Sequence, residues 1–409
     1  MEISKGNLLT YCTNIHPGEK LQDVMQYLAD HTLAIKERIS PDQPFGIGLR
    51  LSSVASKELL EGYNLAKFKQ WLSGNGLYVF TINGFPYGEF HQQAVKDQVH
   101  QPDWSTPERL DYTIRLIHIL EELLPENVTG SISTSPLTYK PWFYHDKSAL
   151  DEHIQAATVH VAMAAGEMCR IKLERGINIH LDIEPEPDGY LENTQEVVDY
   201  FNQHLLVLGA QILQKKYHIS PAVAKSVILE HIQVCYDVCH FALAYENPAY
   251  VFDAFEEAGL KIGKIQISAA LKATFKNTNS DREKIGLAIQ AFNEPTYLHQ
   301  VVAKKNNGNL QQYHDIPEAL PHIMQEDVEE WRIHFHVPVF LANYAQLGST
   351  QQDILAVFEE LKKREAHHHL EIETYTWDVL PLDLQVSVDE SIVREFDWVM
   401  EKLRIETPA

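Results

Sequence analysis

Ile179-His180-Leu181-Asp182-Ile183-Glu184 is the stretch on which the fold turns. Ile179, Leu181 and Ile183 share one parity, and His180, Asp182 and Glu184 share the other. Successive side chains of a strand point to opposite faces. An apolar face against helices and a polar face inside a closed sheet would read this way, and so would a solvent-exposed edge strand. Recurrence separates the two. Short apolar stretches ending on polar or ionisable residues recur at 9–16, 45–50, 78–83, 131–134, 234–237, 264–268 and 370–373. Helix-like segments with apolar residues three and four apart lie between most of them, at 21–38, 56–72, 108–124, 153–174, 194–215 and 249–258, and Ser349-Thr350-Gln351-Gln352-Asp353 opens a further helix running to about Arg364. The alternation predicts an α/β fold, a parallel (β/α)8 TIM barrel, with its reactive groups at the C-terminal ends of the strands. Gly76, Gly176 and Gly263 precede strands, as helix-to-strand turns require.

One connection breaks the pattern. The roughly 80 residues between Ser268 and Ser349 far exceed an ordinary βα loop. Two further strand-like stretches, 297–302 and 331–338, fall inside it. The chain therefore reads as a single domain, 1–409, with an inserted segment at 269–348 after the seventh strand, over the barrel mouth. No tandem repeat, low-complexity tract or linker interrupts it.

Composition narrows the partners. The 409 residues carry a formal charge of −23, which repels nucleic acid and anionic membrane surfaces on average. Apolar residues make up 44% of the chain, enough for a large core, and mean hydropathy is −0.26 with no long apolar run, which argues against a membrane span. Four cysteines make no disulfide scaffold, and the first residues lack a secretory apolar segment. These features predict a cytoplasmic protein with a small-molecule partner, no nucleic acid and no membrane insertion. Cys235 and Cys239 are close enough to be a zinc pair, but no second Cys or His pair follows at the usual spacing.

The strand ends supply the chemistry. Glu184 is followed by Pro185-Glu186-Pro187, whose prolines fix an extended exit and hold the carboxylate. It is a candidate metal ligand and general base. Glu186 and Asp188 are expected to be solvated. Asp237 and His240 form Asp-x-x-His at the next strand end, and carboxylate with imidazole suits Mn, Co, Zn or Mg. Gln266 has inward parity, either as an oxygen ligand or as an internal hydrogen-bonding group. Glu373 and Glu371 share the inward face of the last strand; Glu373 is nearer the mouth, and a deeper Glu371 would need a partner. His334 and His336 alternate with apolar residues, as ligands, acid/base groups or structural histidines. Asn14, His16, Arg50, Asn83 and Lys140 complete the ring, with Arg50 placed to clamp an anion. The aromatic stretch 83–91 is either a ligand wall or a packed loop, and 367–369, three histidines, reads as a solvated loop at the barrel bottom.

The series Glu184, Asp237 with His240, Gln266 and Glu373 resembles the xylose-isomerase-like barrel superfamily, whose sugar isomerases, epimerases and endonuclease IV relatives carry a Glu, an Asp-x-x-His, a His-bearing strand and a final Glu. Gln266 departs from the usual His of sugar epimerases, with His336 as a substitute. Within it, the chain is similar to the EboE family of metabolite-traffic proteins. The likeness is carried by Leu9-Thr10-Tyr11-Cys12-Thr13-Asn14-Ile15-His16-Pro17-Gly18-Glu19, by Gly48-Leu49-Arg50-Leu51-Ser52, and by Thr81-Ile82-Asn83-Gly84-Phe85-Pro86-Tyr87. Val95-Lys96-Asp97 with Pro102-Asp103-Trp104 adds to it, and so does His334-Phe335-His336-Val337-Pro338. It ends at Glu371-Ile372-Glu373-Thr374-Tyr375-Thr376-Trp377-Asp378-Val379-Leu380-Pro381, so it spans almost the whole chain.

The resemblance implies a divalent metal held by Glu184, Asp237, Gln266 and Glu373, with Glu184 and Glu373 as a proton-transferring pair. Asn14, His16, Arg50, Asn83, His240, His334 and His336 would touch substrate or support the ligands. It implies isomerase or epimerase chemistry on a small polar metabolite. It also implies a functional link to a UbiA-like membrane prenyltransferase whose genes cluster with the family. A carrier that binds a metabolite without turnover is the alternative. A DNA phosphodiesterase like endonuclease IV fits the acidic charge poorly.

Overall fold

Eight parallel strands form the centre of the molecule: Asn7–Tyr11, Phe45–Arg50, Leu77–Asn83, Gly130–Thr134, Ile179–Ile183, Ile232–Asp237, Ile262–Ile267 and His369–Ile372. In this computed structural model the described residues are 1–4, 6–88, 95–275, 279–344, 346–364, 368–374 and 387–403. The ladder runs in chain order from the second strand to the eighth, and the eighth pairs with the first. Closure between first and second strands is made by a parallel bridge, Cys12 to Gly48. The Thr10 hydroxyl donates to Gly46 O at 2.8 Å and accepts from Gly48 N at 3.0 Å, standing in for the missing ladder bonds. A closed parallel sheet with helices outside is a (β/α)8 barrel. Glycine is required at position 48 because a Cβ there would overlap the Glu371 carboxylate inside the barrel.

Helices cover the outside through their apolar stripes. The helix expected at 153–174 runs over Lys147–Arg175; Asp146 caps it by accepting from Ala149 N, and Gly176 ends it at φ 72°. The single helix expected at 56–72 is two, Ser53–Leu60 and Asn64–Gly74, because Gly62 at φ 57° turns the chain between them. The helix expected at 21–38 spans Leu21–Ile39 with a π-turn at Leu28–Thr32. Gly263 is not a turn residue but part of the seventh strand, where a side chain would collide with His180 and Asp182. Among the described residues no helix is long and apolar enough to cross a membrane.

The segment after the seventh strand folds into a second, antiparallel sheet. Its strands are Ala270–Thr274, Val301–Lys305, Leu310–Tyr313, Val328–His336, Asn343–Tyr344 and Leu347–Ser349. The long strand Val328–His336 lies between Val301–Lys305 and Ala270–Thr274. Trp331, Ile333, Phe335 and Val337 are buried on its apolar side. His334 and His336 take the opposite parity at its end. Val337 N donates to Ala269 O at 2.9 Å, tying that end to the exit of the seventh barrel strand. The sheet thus delivers two imidazoles to the C-terminal mouth of the barrel.

Two layers of buried polar groups fill the barrel. In the lower layer Lys264 Nζ sits 2.5 Å from Glu371 Oε2 and donates to Asn83 Oδ1 at 2.7 Å and Ser133 Oγ at 3.2 Å. Asn83 Nδ2 closes the ring on Glu371 Oε1 at 2.9 Å. Near the barrel bottom, His180 bonds Asp182 at 2.6 Å, and His369 bonds Ser131 Oγ at 2.7 Å. His368 and His369 are buried, which corrects the solvated loop expected there; His367 lies outside the described residues. Their Nδ1 atoms reach Ile262 O and Ser131, so barrel groups replace water.

Candidate functional site

The upper layer gathers three carboxylates from three strand ends. One oxygen each from Glu184, Asp237 and Glu373 lies within 4.8 Å of the others. The exits explain why. Glu184 follows Ile183 directly, its backbone N bonded to Thr134 O, with Pro185 next. Asp237 ends its strand and caps the helix Val238–Leu243, accepting from His240 N at 3.1 Å and from Ser268 Oγ at 2.7 Å. Glu373 N donates to Ile267 O, and Asn14 Nδ2 donates to Glu373 Oε1 at 3.1 Å.

No lysine or arginine bonds any of these three carboxylates among the described residues, and none is more than 7% exposed. Burial, and then the neighbouring Asp237, push Glu184 up to about 8. Burial and the charges of Glu184 and Asp237 push Glu373 well above the carboxylate range. Burial works against Asp237 too, but His240, His336 and hydrogen bonds from Glu373 and Ser268 hold it below its ordinary value. The donor set therefore keeps its charges apart by protonation, and a divalent cation would replace those protons.

The imidazoles are oriented for the same purpose. His336 Nδ1 bonds Glu373 O at 2.9 Å, so that nitrogen donates. Nε2 points to the carboxylate side, 4.0 Å from Asp237 Oδ2. Asp237, His240 and His336 form a second ligand-like group, and Cys239, His334 and His336 a third. Spacing in the sequence set Cys239 beside Cys235 with no second pair; the inserted strand brings His334 and His336 to Cys239. His240 Nδ1 donates to Pro185 O at 2.9 Å, and His240 Nε2 meets His334 Nε2 at 3.0 Å. Gln300 Oε1 accepts from His334 Nδ1 at 2.8 Å. Burial lowers His240 to about 4 and holds His334 well below the ordinary imidazole range.

The site joins some of the expected residues and excludes others. Asn14, Glu184, His240, His334, His336 and Glu373 line one cavity of about 90 Å³ at the mouth. Gln266 lies below it. Its oxygen accepts from the Cys235 thiol at 3.2 Å, and its amide is hydrogen-bonded to Glu184, so it supports that carboxylate and does not offer an oxygen to a cation. Asn83 belongs to the Lys264 layer. His16 packs behind the first strand, bonded to Tyr11 at 3.1 Å and stacked on His31 and Tyr27. Arg50 is no anion clamp at the mouth: its guanidinium donates to Gly18 O at 2.6 Å and Gly88 O at 2.5 Å and pairs with Glu19. Lys140 pairs with Glu192 and Glu196.

Glu186 and Asp188, expected in solvent, are buried. Glu186 N donates to Leu191 O and Glu186 O accepts from Gly189 N, folding the exit back over the mouth. Sequence reasoning also missed His100, which stacks on Tyr139 and lines the same cavity. Its position in the 3-10 helix Lys96–His100, after a long loop, carries no periodic signal. Phe85 and Pro86 of the aromatic stretch line the cavity; residues 89–91 lie outside the described residues.

No protein-family model matches the chain, and no curated protein matches it. Solved structures do. The chain is similar to the IolI protein with a bound zinc atom, at 11% identity and a TM-score of 0.46, over 97% of this chain and 98% of that one. It is similar to a xylose isomerase domain protein from Alicyclobacillus acidocaldarius, at 8% identity and a TM-score of 0.44, over 97% and 98%. It is also similar to the probable 3-DHS dehydratase AsbF from Bacillus anthracis, at 11% identity and a TM-score of 0.42, over 97% and 98%. At these values the likeness adds nothing to the site, and the barrel stands on its own strand order and closure.

Proposed function

We propose that this protein is a divalent-metal-dependent enzyme of isomerase or epimerase type, acting on a small polar metabolite that carries a hydroxyl beside a carbonyl. The observation that supports it is the buried, lysine-free triad of Glu184, Asp237 and Glu373, with His336 Nε2 facing Asp237. These four side chains would hold the ion, and carboxylate with imidazole suits Mn, Co, Zn or Mg. The bound ion supplies Lewis-acid polarisation of a substrate carbonyl or hydroxyl.

The chain's own residues supply the rest. Glu184 and Glu373 come from different strands and lie across the centre from each other. One would remove a proton from carbon and the other would return it, the division of labour of a general acid–base pair. Asn14 fixes the Glu373 carboxylate by its hydrogen bond to Oε1. His240, held by Pro185 O, in turn meets His334 and sets the position of that imidazole at the cavity. The inserted sheet closes the mouth from above and excludes water.

The test is metal content by plasma mass spectrometry on protein purified without a His-tag or chelator. Wild type should carry about one ion per chain, and Glu184→Gln/Asp237→Asn should carry none. No metal in the wild type would end the reading.

The second reading is a metabolite carrier, favoured by Gln266 turning its amide toward Glu184 where an imidazole ligand would otherwise stand. Turnover predicts that Glu184→Gln loses rate and keeps ligand affinity; a carrier predicts the change in affinity. Either way, the similarity to EboE sequences supports a cytoplasmic role in handling a specialised metabolite, functionally linked to a UbiA-like membrane prenyltransferase.

A further inference from the structure

The cavity has two unlike sides. One is the carboxylate and imidazole centre. The other is built from Phe85, Val95, Val99 and Leu298, all half-buried and all lining the cavity. Among the described residues the hydrophobic core does not include these four side chains. Half-buried apolar groups that share one cavity and pack on no core leave their faces to whatever enters. The wall is built from separate parts of the chain. Val95 N and Lys96 N both bond Thr296 O, and Lys96 Nζ bonds Tyr297 O at 3.0 Å and Asp315 at 2.7 Å. The 3-10 helix beside the third-strand loop is thereby stitched to the inserted segment, and Val99 and Leu298 are brought to the same cavity.

Glu186 and His100 line the same cavity. Glu186 Oε1 and His100 Nδ1 lie 3.4 Å apart, both residues less than a tenth exposed. Neither atom has a hydrogen-bond partner among the described residues. Buried polar atoms are rarely left so, and a roomy cavity beside them points to a ligand group as the missing partner. A carboxyl and an imidazole, each with an unpartnered polar atom turned to the cavity, offer hydrogen-bonding groups of the kind that suit a substrate hydroxyl or carbonyl.

We infer that the site takes an amphiphilic substrate and not a free sugar. An oxygen-bearing head lies over Glu184, Asp237 and Glu373. A hydroxyl or carbonyl is read by Glu186 and His100. An apolar ring or chain lies against Phe85, Val95, Val99 and Leu298. The inference rests on the metal-centre reading above and adds the substrate class to it.

Two hydroxamates separate the two. Acetohydroxamate and benzohydroxamate present the same two-oxygen chelating head and differ only in a methyl or a phenyl tail. Calorimetry on Mn-loaded and metal-free protein should give metal-dependent binding of both, with benzohydroxamate about 10-fold tighter or more, as burial of a ring implies. Leu298→Ala and Val99→Ala should each cut that preference to about 3-fold or less while leaving acetohydroxamate binding in place. Equal affinity of the two hydroxamates on Mn-loaded protein would overturn the inference and leave the metal centre standing. Binding of neither that depends on metal would overturn the metal centre, and the inference with it.

Discussion

Two layers of the same barrel, one turn of the chemistry apart, treat charge in opposite ways. In the lower layer Lys264 answers Glu371, and Asn83 and Ser133 use the remaining donors and acceptors. In the upper layer Glu184, Asp237 and Glu373 face one another, and among the described residues no lysine or arginine bonds them. Both layers come from inward-facing residues of the barrel strands, and the last strand supplies one to each, Glu371 and Glu373, two residues apart. Parity alone cannot tell them apart. The lower layer is electrically complete and serves the fold; the upper layer is incomplete and calls for a cation. The difference is one residue, Lys264, two positions before Gln266 on the seventh strand.

The comparison breaks most visibly at that lysine. Lys264→Met leaves Glu371 buried and unpaired, and should cost about 3–5 kcal/mol of stability. Lys264→Met/Glu371→Leu should recover much of that loss, because removing both charges removes the desolvation cost as well. Urea unfolding of the three proteins measures it, and a single variant as stable as wild type would show that the lower layer is not a charge pair in solution.

In the upper layer the sign should reverse. Glu373→Gln removes one of three repelling carboxyls, so the metal-free protein should gain roughly 1 kcal/mol while metal affinity falls at least about 10-fold. Melting temperatures in chelator and with excess Mn report the two effects separately. Loss of stability in chelator together with unchanged metal affinity would make Glu373 a structural residue.

The pH dependence sharpens the same contrast. Glu184 titrates near 8 in the fold and near 4.5 unfolded, so between those values the native state holds a proton that the unfolded chain has lost. Stability of the metal-free protein should therefore fall as pH rises through that window, by up to about 1.4 kcal/mol per unit for one proton. Metal binding displaces that proton, so affinity should climb over the same range. Chelator-treated and Mn-loaded protein compared at pH 5.5 and 7.5 decides it; parallel curves would mean that Glu184 does not meet the ion.

Much of this was legible in the sequence. Period-2 alternation at Ile179–Ile183 and its seven counterparts gives the barrel, because a closed parallel sheet repeats one solution eight times. Glu184, Asp237 and Glu373 followed because each directly ends a strand. Three kinds of residue escaped. Arg50 and His16 have the same strand-end signature, but their side chains turn outward to Gly18, Gly88, Tyr11 and His31, and nothing local encodes that. Glu186 looked like a loop acid because the fold-back that buries it depends on Leu191 and Gly189. His100 and Val99 sit on a short helix whose Val95 and Lys96 bond Thr296 and Tyr297, about two hundred residues away.

The smallest expected effect is the most discriminating about where the metal centre ends. Glu186 is buried close enough to Glu184 and Asp237 to feel both charges, yet it lies on the apolar side beside His100, 3.4 Å from its Nδ1. If it is a reader of substrate and not a ligand, Glu186→Gln keeps the shape of the group and a hydrogen-bonding oxygen in the cavity. Metal affinity should then stay within about 2-fold of wild type, whereas a lost carboxylate ligand costs 10-fold or more. Benzohydroxamate affinity should change modestly as well, since its tail meets Leu298 and Val99 before it meets Glu186. A large loss of Mn from Glu186→Gln would put a fourth carboxylate into the centre, and the boundary between the charged head of the cavity and its apolar wall would have to be redrawn through Glu186.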